Sequence, residues 1–437
     1  MYHLQARSDR FPVMARKIPV SGINLFQLIY ILRREYEEKT GKKPLNLSLG
    51  NPDGVPPEQI RTLQAKYAAN PGFDYHTYAE DNNLHRFAEG MVELHGGIAV
   101  DDHKHLAAVP IPGIKTAGAL MPLACGMHLP DTERRSSFRV VSNVPAYDVI
   151  GTWANSYLGT ERIVWPLATE DDMRLNLERL DRAVSTEKNI DLVYVIRPGN
   201  PAAVGANESE WNRLLDWCAQ KGARLVNDGA YAGLCEPGKH TSLASVASKR
   251  TDVEWIEMYS VSKSFSDPGA RLGALVGAKD FVEDFVLIKG NTESGPVPSV
   301  MAAYGDFLAD KANAKKALDA QRKVYRDRLD YVVGKLKNAG LKPACETSAG
   351  FFTLWKVPSK AFGVSLADDP RVSDKPLHEA FNRLVIEETG IVGVHFNGPG
   401  SEGQGEPLIR YAVCDDVLDA AFQKRFEEGL ARLSPEY

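Results

Sequence analysis

Between residues 107 and 277 the chain alternates short runs that are apolar throughout with longer stretches of helical periodicity. The runs are AAVPI (107–111), FRVVSN (138–143), DLVYVIR (191–197), ARLVND (223–228), EWIEMYS (254–260) and RLGALVG (271–277). A strand with one face in water alternates apolar and polar residues, whereas a strand covered on both faces does not. Helices between successive strands supply that cover and make the strands run parallel. The pattern therefore predicts an α/β fold, with a mainly parallel sheet flanked by helices. In one of those helices, NESEWNRLLDWCAQKG, Trp211, Leu214, Leu215 and Cys218 share a face, and Asn207 with Glu210 has the spacing of a capping box.

At 437 residues the chain is too long for a single core. Residues 24–38 form an amphipathic helical pattern with apolar positions at 25, 28, 29 and 32, and LNLSLGNPDGVPP reads as a short strand entering a Gly/Pro loop. Residues 299–338 read as one long charged helix, followed by SAGFFTLWKVP, a helix near 375–388 and a strand at LIRYAVC. We expect a large domain over 46–300 and a smaller α/β domain built from 1–45 and 301–437.

A net charge of −5 gives no reason to expect nucleic acid or an anionic membrane as partner. No apolar run approaches the ~20 residues of a membrane span, and the first residues lack the pattern of a signal peptide. The five cysteines (125, 218, 235, 345, 414) form no CxxC pair and read as reduced thiols of a cytoplasmic protein. His103 and His105 stand among charged neighbours and read as a solvated loop, not a metal site.

Sheets of this kind bind ligands beyond the carboxyl ends of their strands. The polar residues predicted there are Asn200, Asp228, Tyr231, Ser260 and Lys263, with Arg271 opening the next strand. At Gly113, Ile114 and Lys115 a strand passes into a helix and offers free amides to an anion. A lysine in a water-poor site has a lowered pKa, and its neutral amine attacks an aldehyde to form a Schiff base. A carboxylate such as Asp228 would keep a pyridine nitrogen protonated, while Arg271, Ser260 and the helix amides would hold a phosphate. Aldehyde, pyridinium and phosphate together describe pyridoxal 5′-phosphate.

The order Asn-Pro at 200–201, D-x-x-Y at 228–231, then S-x-x-K at 260–263 with arginine at 271 resembles the class I/II aminotransferases of the aspartate aminotransferase fold (PLP-dependent fold type I). The likeness runs over nearly the whole chain. LSLGNPDGVPP resembles that family's N-terminal substrate loop, which implies that Gly50 contacts substrate. VSNVPAY resembles the segment that lays an aromatic ring, here Tyr147, over the cofactor. The resemblance also implies Lys263 as Schiff-base lysine and proton shuttle, Asp228 at the pyridine nitrogen, and Asn200 and Tyr231 at the phenolic oxygen. It implies Ser260, Arg271 and the amides at Ile114 and Lys115 at the phosphate, with Arg410 on the substrate α-carboxylate. YHTYAEDNNLHRF resembles the region that lends a tyrosine to the neighbouring subunit's phosphate. Tyr75 and Tyr78 both stand there, and spacing favours Tyr78.

Two departures stand out. NPAAVG displaces the glycine that usually follows Asn-Pro more closely, and Asn83 stands where glycine is usual.

These readings converge on a homodimeric aminotransferase with ping-pong exchange between an amino acid and a 2-oxo acid. A lyase, decarboxylase or synthase on the same cofactor remains open at this stage, as does a catalytically silent regulatory relative. A dinucleotide enzyme is disfavoured because no GxGxxG follows a predicted strand. NTESGPVPS, where the family contributes side-chain contacts, offers Asn291, Thr292, Glu293 and Ser294, and Glu293 would suit an amino-bearing substrate side chain.

Overall fold

The structure is a computed structural model. It describes residues 25–79, 82–129, 138–147, 150–184, 189–397 and 405–437, apart from the side chains at 152, 153 and 156. The N-terminal residues 1–24 and most of the Gly-rich loop GPGSEGQGEP (398–404) lie outside the described residues.

After β1 (Leu45–Asn46), seven strands form the central sheet: β2 (Leu106–Ile111), β3 (Arg139–Val144), β4 (Glu161–Pro166), β5 (Leu192–Ile196), β6 (Arg224–Asp228), β7 (Trp255–Ser260) and β8 (Gly273–Ala278). Their spatial order is β2-β8-β7-β6-β5-β3-β4. The pairs from β7 to β4 are parallel, and β8 runs antiparallel to both its neighbours. β5 is buried at all five positions, as its all-apolar run predicts. Val193 and Val195 enter the core on one face of the sheet, and Leu192, Tyr194 and Ile196 enter the other. Each such large apolar side chain removed from water contributes about 1.5–3 kcal/mol before chain entropy is set against it.

The predicted capping box is present at Asn207 and Glu210 on the helix Glu208–Lys221, and Trp211, Leu214, Leu215 and Cys218 are all buried beneath it. Three expectations need correction. β4 was missed because it is the edge strand, where Val164 stays exposed and the apolar run is broken. The long helical stretch is two helices, Pro298–Ala309 and Lys311–Asn338. Asp310 leaves helical geometry between them, and its side chain accepts from the Asn313 amide to cap the second. β8 begins at Gly273, so Arg271 precedes the strand, with a left-handed φ of 49°.

A second core gathers the helix Lys311–Asn338, β9 (Phe352–Lys356), a small hairpin of β10 (Lys360–Ala361) with β11 (Val364–Ser365), and the helix Leu377–Thr389. β12 (Ile391–Val392), β13 (Val394–Asn397), β14 (Pro407–Ala412) and the helix Ala420–Leu430 complete it. β13, β14 and β9 form an antiparallel sheet, and β1 pairs parallel with β12. The helix Leu25–Thr40 packs Ile29 and Leu32 against Ile386 and Val392.

The register of the large sheet prepares one edge for a ligand. The last residues of β5 and β6, Ile196 and Asp228, are direct partners, and Ser260 at the end of β7 faces Gly273 at the start of β8. Ile111, the last residue of β2, also pairs with Gly273. Because β8 is reversed, its amino end lies beside the carboxyl ends of its neighbours, and this brings Arg271 to the same edge.

Candidate active site

A cavity of about 390 Å³ opens along that edge, within the usual size of small-molecule and cofactor sites. Gly50, Gly113, Ile114, Lys115, Tyr147, Asn200, Asp228, Tyr231, Ser260, Lys263, Arg271 and Arg410 all line it. Of the predicted site residues, the interface candidates Tyr75 and Tyr78 and the side-chain candidate Glu293 do not line the wall. Tyr78 stands 74% exposed on the outside of the chain.

Lys263 sits in the single helical turn Val261–Ser264 that follows β7, three residues past the strand end on which the sequence pattern placed it. Ser260 caps that turn, its Oγ accepting from the Ser262 amide at 3.1 Å. The Lys263 Nζ donates to the Gly50 carbonyl at 2.9 Å and lies 5.6 Å above the centre of the Phe351 ring. Burial is the main cause of its lowered pKa, and the charge of Arg410 adds to it. The neutral amine is therefore more accessible than on a surface lysine.

Asp228 ends β6. Its carboxylate accepts from the Ala230 amide at 3.0 Å, and burial raises its pKa to about 6. Tyr231, raised in pKa by burial, accepts from the Asn200 Nδ2 at 3.4 Å. The Asn200 Oδ1 in turn accepts from the Arg410 Nη1 at 2.8 Å. Arg410 is 2% exposed, with its guanidinium 4.2 Å above the centre of the Phe352 ring and its Nη2 donating to the Ser48 carbonyl at 2.5 Å. Its Nε has no partner among the described residues. A buried guanidinium with a donor to spare and no carboxylate beside it suits an anionic ligand.

The opposite end of the cavity suits an anion. The helix Ile114–Ala124 starts after Gly113, which has no side chain to cap it, so among the described residues no side chain at the cap competes with an anion for its first amides. Gly113 has a φ of 89°, and a Cβ there would meet the Arg271 Nη2 at 2.7 Å. Arg271 donates to the Pro268 carbonyl at 3.1 Å and pairs with no acid among the described residues. The Tyr147 amide donates to the Asn200 carbonyl at 2.8 Å, and the Lys115 Nζ stands 5.7 Å from the centre of the Tyr147 ring. Aldehyde-reactive amine, buried carboxylate and anion cradle thus lie on one wall, and this donor set fits pyridoxal phosphate.

The sequence profile of the aminotransferase class I and II family matches residues 42–419. The chain belongs to that family. It is a pyridoxal-phosphate-dependent aminotransferase. The LL-diaminopimelate aminotransferase of Syntrophobacter fumaroxidans is 25% identical over 96% of this chain and 98% of its own. That of Aquifex aeolicus is 27% identical over 89% and 93%. Among solved structures, a single mutant of Thermus thermophilus aspartate aminotransferase superposes with a TM-score of 0.74 at 17% identity, over 97% of this chain and 99% of its own. The aromatic aminotransferase of Pyrococcus horikoshii OT3 gives 0.70 at 20%, over 91% and 96%. These likenesses place the aminotransferase in the aspartate aminotransferase fold.

Several wall residues escaped the sequence reading. Phe26 and Leu49 form an apolar side of the cavity, and Asn51, Ser262 and Pro268 also line it. Phe26 lies off the buried stripe of its helix, and an aromatic on the polar side was the available signal. Glu293 does not line the cavity, since it turns onto Lys289 at 3.3 Å. The His105 Nε2 donates to the Ser248 carbonyl at 2.9 Å, with the His103 ring centre 6.0 Å away.

Proposed function

We propose that this aminotransferase moves the amino group of an L-amino acid to a 2-oxo acid by ping-pong exchange, with Lys263 as the Schiff-base lysine. The observation that carries the reading is the Lys263 amine. It is mostly buried, lowered in pKa, and held by a backbone carbonyl, with no carboxylate paired to it among the described residues. Bound here, the cofactor supplies an aldehyde for amine exchange and a ring that withdraws electrons from the substrate α-carbon.

The side chains divide the remaining work. Asp228 holds the ring nitrogen in its protonated form, and Asn200 and Tyr231 bind the phenolic oxygen. Tyr147 covers the ring. Arg271, Ser260 and the amides of Ile114 and Lys115 hold the phosphate, and Arg410 orients the α-carboxylate with Asn200. Gly50 borders the substrate. The freed Lys263 Nζ takes the α-proton and returns it, as nucleophile and general base in one residue.

We assign residues 46–300 to a large cofactor-binding domain, and 1–45 with 301–437 to a small one. The pairing of β1 with β12 supports attaching the N-terminal segment to the second core. A homodimer is supported by the exposure of Phe73 and Tyr78. Tyr75 instead packs 4.9 Å from the Tyr67 ring and brings its hydroxyl to 3.5 Å from His85, which favours Tyr78 as the residue to reach a partner's phosphate. Five buried cysteines, read as reduced thiols, fit a cytoplasmic location, and no helix among the described residues is long and apolar enough to cross a membrane.

The relatives' printed substrate makes LL-diaminopimelate the first donor to test, against a panel of amino acids with 2-oxoglutarate and pyruvate as acceptors. The decisive measurement is a single half-reaction. One equivalent of oxo acid per site, with conversion of the cofactor to its aminated form, is expected. Ammonia or carbon dioxide with the cofactor unchanged would indicate a lyase or decarboxylase instead.

A further inference from the structure

Between Lys263 and Arg271 the chain takes a loop held open by contacts from distant helices. Ser266 adopts a left-handed φ of 52° and Arg271 one of 49°, both costly for residues with a side chain. Such geometry persists only where surroundings over-determine it. Three side chains do so. The Ser266 Oγ accepts from the Gln321 Nε2 at 2.9 Å. The Asp267 Oδ2 accepts from the Gln64 Nε2 at 2.9 Å and from the Tyr304 hydroxyl at 2.9 Å.

Asp267 has an unusual position for a carboxylate. It lies one residue from a wall residue of the cavity, Pro268, and no cation pairs with it among the described residues. Its partners are two neutral donors on the helices Glu58–Ala68 and Pro298–Ala309. Tyr304 is fully buried and fixed by packing, with its ring 5.9 Å from Phe265 and 6.3 Å from Phe87. A negative charge this near a phosphate site opposes anion binding, so electrostatics alone gives no reason for it. Its hydrogen bonds do. They hold the backbone whose next carbonyl, that of Pro268, accepts from the Arg271 Nη1 at 3.1 Å. The guanidinium is thereby set against Gly113, at the start of the phosphate-facing helix.

We propose that Asp267 is a positioning residue for the phosphate clamp: by binding Gln64 and Tyr304 it sets the loop that aims Arg271 at the helix terminus. The inference rests on Arg271 holding the cofactor phosphate. It says nothing of the ring end of the site, where Lys263 and Asp228 act. Loss of Asp267 is therefore expected to weaken ligands that carry the phosphate and spare those that lack it.

The test compares pyridoxal 5′-phosphate with pyridoxal, each titrated into the enzyme after its resident cofactor has been removed. Asp267→Ala is expected to raise the Kd for pyridoxal phosphate about tenfold or more while leaving that for pyridoxal within about twofold. Asp267→Asn keeps an acceptor oxygen and is expected to stay near wild type. Tyr304→Phe removes one of the two donors and gives a smaller loss in the same direction, a readout that survives if Asp267→Ala does not fold. Equal weakening of both ligands, or of neither, would overturn the proposal. If the wild type itself binds pyridoxal as tightly as pyridoxal phosphate, the fault lies in the phosphate-clamp reading of Arg271. If the wild type discriminates and the Asp267 and Tyr304 variants do so equally, only the role of Asp267 fails.

Discussion

The Lys263 Nζ reaches across 213 positions of sequence to donate to the Gly50 carbonyl. Two residues earlier in the same loop, the Ser48 carbonyl accepts from Arg410. One short backbone segment thus holds both side chains, the amine proposed to carry the cofactor and the guanidinium proposed to bind the substrate carboxylate. Gly50 also leaves no room for a side chain, since a Cβ would meet the Phe352 Cζ at 2.8 Å, on the ring beneath the Arg410 guanidinium. Gly50→Ala is expected to shift loop and ring together, lowering kcat/KM about tenfold through KM, with the cofactor's absorbance retained. Wild-type kinetics in this variant would separate the loop from substrate binding.

Arg410→Lys tests geometry at constant charge. The guanidinium presents donors in a planar fork that matches a carboxylate in two places, and an ammonium cannot reproduce it. The variant is expected to keep its cofactor and lose at least about tenfold in specificity constant, roughly 1.4 kcal/mol or more. Steady-state kinetics with a fixed donor decide it, and unchanged values would remove Arg410 from substrate binding.

Asp228 has a cost that pH reveals. Burial raises its carboxyl from 3.8 to about 6, so between those values the folded cofactor-free protein keeps a proton that the unfolded chain has lost. Stability therefore falls as pH rises through that window, and the cost is fully present at pH 8. Asp228→Asn keeps an acceptor for the Ala230 amide without the charge. The cofactor-free variant is expected to melt above cofactor-free wild type at pH 8, by on the order of 1–3 kcal/mol of stability. The difference should shrink as pH falls through that window and vanish below the unfolded value of 3.8. Added cofactor should stabilise the wild type more than the variant. Equal melting at pH 8 would show that the buried charge is compensated.

If Tyr78 completes the partner's site, two dead enzymes should rescue each other. Hybrid dimers of a Lys263 variant and a Tyr78 variant carry one intact site, and random exchange makes half of all dimers hybrids. Mixing is expected to recover up to about one quarter of wild-type activity. Silence after exchange has been demonstrated by labelled subunits would count against a shared site.

Much of this arrangement was legible because burial on both faces leaves a plain mark. β5 and β7 are buried throughout, and the residues that end β5, β6 and β7 fall where parallel sheets bind ligands. β4 was not legible, since an edge strand with Val164 in water loses that mark. Nor was the break at Asp310, which needs no glycine or proline because the aspartate caps the next helix itself. The Gly50 and Ser48 carbonyls have no side-chain signature, so their hold on Lys263 and Arg410 exists only in three dimensions. The same is true of Asp267, whose partners lie 203 and 37 positions away.

Lys263 carries the sharpest test. Its turn is capped by Ser260, its amine is lowered in pKa by burial, and Arg271 stands eight residues on in the wall of the same cavity. Borohydride treatment of the purified protein should fix the cofactor to the peptide containing Lys263. Lys263→Ala should still take up pyridoxal phosphate through Asp228, Arg271 and the helix amides, but without a covalent bond, so the same treatment should release it on denaturation. Turnover should fall by several orders of magnitude, because one residue supplies both the nucleophile and the base for the α-proton. Ethylamine offers a further check: a free amine diffusing into the space vacated by the side chain should restore part of the proton transfer without restoring the covalent link. Near-normal transamination by Lys263→Ala, or a reduced adduct on another lysine, would sink the assignment.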